Sequence, residues 1–192
     1  MIQTDNFKKV EVSSQQDLRI WLEKHHQKEE SVWLVTFKKS VPEKYVSTSE
    51  VLDELLCYGW IDGIRRKLDE DRTMQLISPR KAEHWAKSYK DRAAKLMENG
   101  KMTEAGMKCI ELSKQAGLWD FMDDVDKLII PEDLLKGLNQ YQGAEEFFHS
   151  INDSSKRFVL RWLKLAKTEK TRNTRIQQLS ELSAKREKLK GS

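Results

Sequence analysis

The chain has 192 residues, of which 34% are charged and 38% apolar, and it carries a net charge of +4. That length suits one domain, or one domain with a helical appendage, and at this size a core forms without a metal or disulfide staple. The content of Trp, Phe, Leu and Ile is too high for a disordered chain, the apolar runs are far too short for a bilayer span, and Cys57 and Cys109 are too few and too isolated for a disulfide framework or a zinc site.

Taken in chain order, "KKVEV" (8–12) alternates and is β-branched, which predicts a strand. Ser14 followed by Asp17 opens a helix to about His26, with Leu18, Trp21 and Leu22 on one face. "SVWLVTFKK" (31–39) is apolar on both alternating faces, as in a strand covered on each side. "STSE" (47–50) spells a capping box for a helix that stops at Gly59. "WIDGIRRKL" (60–68), interrupted by Gly63, and "TMQLIS" (73–78) predict a hairpin closed by a polar turn. Pro79 ends the second strand and is placed to open a charged helix from about Lys81 to Asn99. Thr103 caps the next helix, to about Ala116. Beyond an acidic stretch, helices are expected from Pro131 to about Asn139, over "GAEEFFHSI", from a cap at Asp153 or Ser154 to about Lys167, and on to about Leu189. This order predicts an α+β fold: a small mixed sheet with packed helices (1–117), an acidic connector (118–130) and an all-helical C-terminal region (131–192).

Charge is unevenly spread. From Ser154 onward there are twelve Lys/Arg against three Asp/Glu, whereas Leu118 to Asp153 holds nine carboxylates against Lys127 and Lys136. Arg157, Arg161, Arg172 and Arg175 form a candidate surface for nucleic acid or another polyanion. No recognition-helix signature accompanies them, and the acidic stretch is available to neutralise them, so solvated or self-paired charge is the favoured reading.

The chemistry-bearing residues cluster between Cys57 and Trp85. Asp62 is either a base or an orienter for a ligand, or a structural group that caps backbone N–H groups at the Gly63 irregularity or pairs with a nearby arginine. The structural role is favoured because no His or second carboxylate stands beside it at a set spacing. Arg65 and Arg66 must point to opposite faces of a continuing strand, so only one of them can join Arg80 in a cleft. Arg80, read as the start of a helix, would sit where free N–H groups favour an anion, and with Lys81, His84 or Lys87 would make a carboxylate or phosphate pocket. Trp60 and Trp85 are the two tryptophans placed to wall that cleft, while the other four read as core. Cys57 lies near a helix C-terminus, which disfavours a thiolate, and the four histidines show no metal-ligand spacing. No cofactor or metal is expected, and the absence of the common catalytic motifs weighs against an enzyme.

The motifs "LCYGWIDG", "SPR" with a Trp six residues beyond its Pro, "GKMTEAG" and the closing "RFVLRWLKLAKTEKTRNTRIQQL" (157–179) resemble the YdeI/OmpD-associated family, also called bacteriocin-protection proteins. In the closing segment Ala166, Lys167, Thr171, Arg172, Arg175 and Ile176 match the family's pattern. The resemblance runs from roughly residue 15 onward. It implies a role in resistance to antimicrobial peptides and association with a porin, and it implies no catalytic residue set. The chain departs from the pattern beside the tryptophan, where Glu83 and Ala86 replace small polar residues. The family's implied periplasmic location conflicts with an N-terminus that lacks a secretory apolar region, and two free thiols suit a reducing compartment, so a cytoplasmic protein is expected.

Three expectations follow. The first is a non-catalytic binder that holds a small anion or an acidic partner segment between the Trp60–Arg66 strand and a helix starting at Arg80. The alternatives are an uncatalogued enzyme in which Asp62 acts on a ligand oriented by Arg80, and a polyanion binder using Arg157, Arg161, Arg172 and Arg175.

Overall fold

The computed structural model describes residues 7–192. They divide into two compact units, Met1–Asp120 and Phe121–Ser192. The first carries the sheet and the second is all-helical, which is the α+β architecture that the alternation of strand and helix patterns predicts.

In the first unit, strands β1 (Lys9–Glu11), β2 (Val32–Phe37), β3 (Trp60–Lys67) and β4 (Arg72–Pro79) form one mixed sheet in the order β1-β2-β4-β3. β1 runs parallel to β2, and helix α1 (Gln15–His25) makes the crossover that a parallel pair requires. β2 is an inner strand, and its residues Val32 to Thr36 are buried, which explains why the segment has no polar face. β3 and β4 form the expected hairpin, its turn pinned by Asp69, whose Oδ1 accepts the backbone N–H groups of Asp71 and Arg72.

Helix α2 (Thr48–Cys57) starts with the capping box, Ser47 taking the Glu50 N–H and Glu50 taking the Ser47 N–H. It ends before Gly59, whose φ of +70° suits a residue without a Cβ. Helices α3 (Lys87–Glu98) and α4 (Glu104–Gln115) complete the unit. One face of the sheet supplies Val32, Leu34 and Ile77 to a core shared with Leu18 and Leu22 of α1, Leu55 and Leu56 of α2, Leu96 of α3 and Ile110 of α4. Within it Glu54 is 3% exposed and is held by Gln15 Nε2 at 2.7 Å and Arg19 Nη1 at 3.0 Å.

One boundary differs from the expected one in a way that matters for the site. The charged helix begins at Lys87, not near Lys81, and residues 80–86 have no regular structure. The cause is tertiary. Trp85 is buried, with its indole N–H donated to Ser113 Oγ at 2.9 Å, and Arg80 N–H is donated to Gly59 O at 2.8 Å. A helix from residue 81 would turn Trp85 away from this buried position.

The second unit contains α5 (Asp123–Asp126), α6 (Glu132–Leu138), α7 (Ala144–Ser150), α8 (Asp153–Lys164) and α9 (Glu169–Ala184). Its core includes Met122, Val125, Leu134, Leu138, Phe148, Val159, Leu160, Leu163, Ile176 and Leu179. Met122 and Val125, from the acidic stretch, are therefore core residues. α8 is capped by Asn152, whose Oδ1 takes the Ser155 N–H at 2.8 Å, one position before the expected Asp153 or Ser154, and it ends at Lys164. α9 ends at Ala184, short of Leu189, and Arg186 beyond it adopts a φ of +57°. Among the described residues no helix is long and apolar enough to cross a membrane.

Candidate functional site

The geometry around Asp62 starts from a β-bulge. Asp62 is opposite Ile77, but Arg65 is opposite Gln75, so three residues of β3 span two of β4. A Cβ at Gly63 would lie 3.2 Å from the Leu76 carbonyl oxygen, which is why a glycine occupies the crowded point. Strict alternation would place Asp62 and Arg65 on opposite faces. The extra residue resets the count, and both side chains meet Gln75 on one face.

Gln75 is 6% exposed and links them. Its Oε1 accepts from Arg65 Nη2 at 2.5 Å, and its Nε2 donates to Asp62 Oδ2 at 3.1 Å. The other carboxylate oxygen, Oδ1, accepts from the Tyr89 hydroxyl of α3 at 2.5 Å. Burial, then the bond to Asp62, pushes the Tyr89 phenol up to about 12, so it acts as a fixed donor. Both oxygens of Asp62 are thus engaged in holding β3, β4 and α3 together, a structural engagement and not that of a free base. Arg66 turns to the other face, 5.3 Å over the Trp33 ring, so Arg65 is the one on the Asp62 side.

Arg80 adjoins this network. Its guanidinium lies 4.0 Å over the centre of Trp85 and 5.3 Å over that of Tyr89. Its Nε and Nη1 are buried and have no hydrogen-bond partner. Burial lowers its pKa, against the pull of Cys109, Glu83, Tyr89 and Asp62, yet a guanidinium stays protonated throughout the working pH range. The result is a positive charge seated on aromatic faces with two donor atoms unsatisfied. Buried donors in native proteins almost always find partners, so such a pair asks for an explanation.

The expected cleft is not the one that forms. No helix begins at Arg80, so no helix N-terminus adds donors there. Trp60 is 1% exposed and is not a wall of any cleft: it donates its indole N–H to His26 O at 3.1 Å and meets Trp21 edge-on at 5.6 Å. Trp85 does contact Arg80, but from inside the core, with Trp119 at 5.0 Å on the indole. His84 is half-buried in the irregular stretch before Trp85. A hollow of about 630 Å³ lies at the end of the β3–β4 pair, where Ile61, Ser78, Pro79, Lys81 and Glu83 line it and Arg80 does not.

Burial pushes the Cys57 thiol up to about 11 and raises that of Cys109, so neither supplies a thiolate near neutral pH. Among the described residues no three His, Cys, Asp or Glu side chains converge to hold a metal ion.

The C-terminal arginines separate into two kinds. Arg172 clamps Asp133 through Nε at 2.5 Å and Nη2 at 2.9 Å, and Arg175 donates to the Trp162 carbonyl while lying 4.6 Å over that indole. Lys164 is likewise bonded to Asp124. The acidic stretch thus neutralises part of the basic surface, and Arg172 and Arg175 do not face a partner as freely as their spacing suggests. Arg157 and Arg161 are exposed on α8.

Tyr89 and Gln75 are the site residues that sequence reading misses. A buried glutamine in a strand is signalled only by its place between Met74 and Leu76, and a tyrosine four residues beyond a tryptophan is a weak hint of one helix face.

Residues 10–109 match the family described as a domain of unknown function (DUF8412). Residues 127–186 match the family described as bacteriocin-protection, YdeI or OmpD-associated. The motifs from Leu56 to Gly106 therefore fall within the first match, and the closing segment 157–179 within the second. No curated protein and no solved structure matches the chain.

Proposed function

We propose, for a chain that belongs to the DUF8412 family through residues 10–109 and carries a YdeI/OmpD-associated domain at residues 127–186, that it is a non-catalytic binding protein that holds a small anion at Arg80. The single observation that carries this reading is the pair of buried, unpartnered guanidinium nitrogens on that residue. A carboxylate or phosphate oxygen supplies the hydrogen bonds that the protein withholds and adds to the counter-charge of Glu83 and Asp62. Trp85 and Tyr89 fix the plane of the guanidinium, and Asp62 fixes Tyr89 through its hydroxyl. The site is thus a positioned cation with a rigid aromatic backing. Trp60 and Arg66, which packing draws elsewhere, are not part of it. An acidic segment of a partner protein offers the same chemistry as a free anion.

The absence of turnover is supported by the occupation of both Asp62 oxygens and by thiols held protonated. Isothermal titration with inorganic phosphate, acetate and a short aspartate-rich peptide tests the reading. Wild type is expected to give saturable heat with at least one of these, and Arg80→Met none. Lack of saturable heat in wild type, or equal heats in the two proteins, removes the proposal. Asp62→Asn is expected to retain binding, because it keeps an acceptor for Tyr89.

A further inference from the structure

The outward face of α8 combines features that internal packing does not explain. The helix buries Ser155, Val159, Leu160 and Leu163. At 100° per residue, the opposite side presents Arg157, Phe158, Arg161 and Leu165 as one contiguous strip. Phe158 and Leu165 are each 42% exposed, so two large apolar side chains stand in water where polar ones would cost nothing. Arg157 and Arg161 are exposed beside them with no ion pair among the described residues. Asp153, at the N-terminal end of the helix, is the one carboxylate within α8, and it lies before the strip begins.

The surroundings extend the same chemistry. Trp162, half-buried at the margin of the strip, carries Arg175 stacked 4.6 Å over its ring. The segment after α9 returns beside the strip: Lys188 Nζ reaches Ser155 Oγ at 3.4 Å, and a side chain at Gly191 would begin 3.5 Å from Phe158 Cζ. That brings a stretch with Lys185, Arg186, Lys188 and Lys190 against a single Glu187 to the same edge.

We infer that this face docks on an anionic lipid surface. Charge complementarity selects an anionic occupant, and the apolar pair, Phe158 and Leu165, selects among anionic occupants. In a bilayer interface Arg157 and Arg161 meet headgroup phosphates while Phe158 and Leu165 enter the acyl boundary, with Trp162 at the headgroup level that indoles favour. A nucleic acid rewards the arginines and can stack on Phe158, but offers Leu165 no partner. The strip covers about two turns of helix, on the order of 12 Å, so the contact is a reversible electrostatic one with a shallow apolar component and not an anchor. This docking is independent of the anion site at Arg80.

Co-sedimentation of the full chain with vesicles tests it. Vesicles of phosphatidylcholine with 30% phosphatidylglycerol are compared with pure phosphatidylcholine, and a single-stranded oligonucleotide is titrated in parallel. Binding is expected to the charged vesicles alone and to weaken as salt is raised. Arg157→Gln with Arg161→Gln is expected to weaken it by on the order of fivefold per arginine. Phe158→Ser is expected to weaken it severalfold at unchanged charge. Circular dichroism and a thermal melt identify variants that have lost the fold, and Leu165→Ser, at the other end of the strip, replaces Phe158→Ser if that variant has. Equal binding to neutral vesicles, no binding to either kind, insensitivity to these substitutions, or binding to the oligonucleotide in place of the vesicles overturns the inference.

Discussion

Arg80 in the sheet-bearing unit and Arg172 in the helical unit are both drawn partly out of water, but they are compensated differently. Arg172 forks onto both oxygens of Asp133, whereas two nitrogens of Arg80 have no hydrogen-bond partner and its guanidinium lies over the rings of Trp85 and Tyr89. The first arrangement is complete in itself: charge, hydrogen bonds and geometry are satisfied by the chain. The second leaves a debt of unsatisfied donors that the chain does not settle. The difference separates an arginine that holds a fold together from one positioned for something else. The sequence leans the same way: it places Arg80 in a candidate anion pocket and favours solvated or self-paired charge for the basic run that holds Arg172.

The largest test of that contrast is Trp85→Ala. It removes the aromatic seat of Arg80, the bond to Ser113 and a fully buried indole, and is expected to cost about 3–5 kcal/mol in urea unfolding. A cost below about 1 kcal/mol would mean that the seat is not the rigid platform described. A smaller effect is expected from Asp133→Asn. The Arg172 guanidinium, through its hydrogen bonds, holds the Asp133 carboxyl below its ordinary value. Because the folded value is the lower one, the pair's contribution is present above the unfolded carboxylate's pKa of about 3.9 and is lost as pH falls through the folded pKa. At neutral pH, with the pair partly exposed and screened, that contribution is about 1 kcal/mol. Wild type should therefore lose its advantage over Asp133→Asn in melts taken below pH 4, and a constant difference down to pH 2 would contradict the ion-pair account.

The smallest effect is the most telling. Arg80→Met removes a buried, incompletely bonded charge and retains bulk against Trp85. Without added anion it should leave the melting temperature unchanged or raise it, the loss of cation–π attraction being offset by relief of desolvation. A clear destabilisation, comparable with that of Trp85→Ala, would show that Arg80 serves the fold as Arg172 does.

Local signals predict most of the architecture because they act locally. The Ser14, Ser47 and Thr103 caps and the hairpin of β3 and β4 all form where residue chemistry places them. The start of α3 is different. Its N-cap is Ala86, which has no side-chain acceptor, so nothing in the sequence marks residue 87 as the first turn, while Lys81, Ala82 and Glu83 are good helix formers. Burial of Trp85 overrides that propensity. The cap of α8 is ambiguous for the converse reason, since Asn152, Asp153 and Ser154 are three capping residues in succession. At the site, Asp62 and Arg80 are recognisable as unusual, but the partners that define their roles, Gln75 and Tyr89, reach them from β4 and from α3. Arg65 and Arg66 do take opposite faces as alternation requires, but the helix end expected at Arg80 is missing because the buried Trp85 delays the start of α3.

The additional residue in β3 has a consequence for how this strand tolerates change. Upstream of Gly63 and downstream of it, side chains are assigned to faces by two separate counts. Shortening the chain by one residue there would leave every side chain on the face it now occupies, because Asp62 and Arg65 would then stand two apart and plain alternation would give both to the Gln75 side. A deletion of one amino acid at the bulge would thus be absorbed into a regular ladder, with Arg65 and Arg66 kept on their opposite surfaces of the sheet.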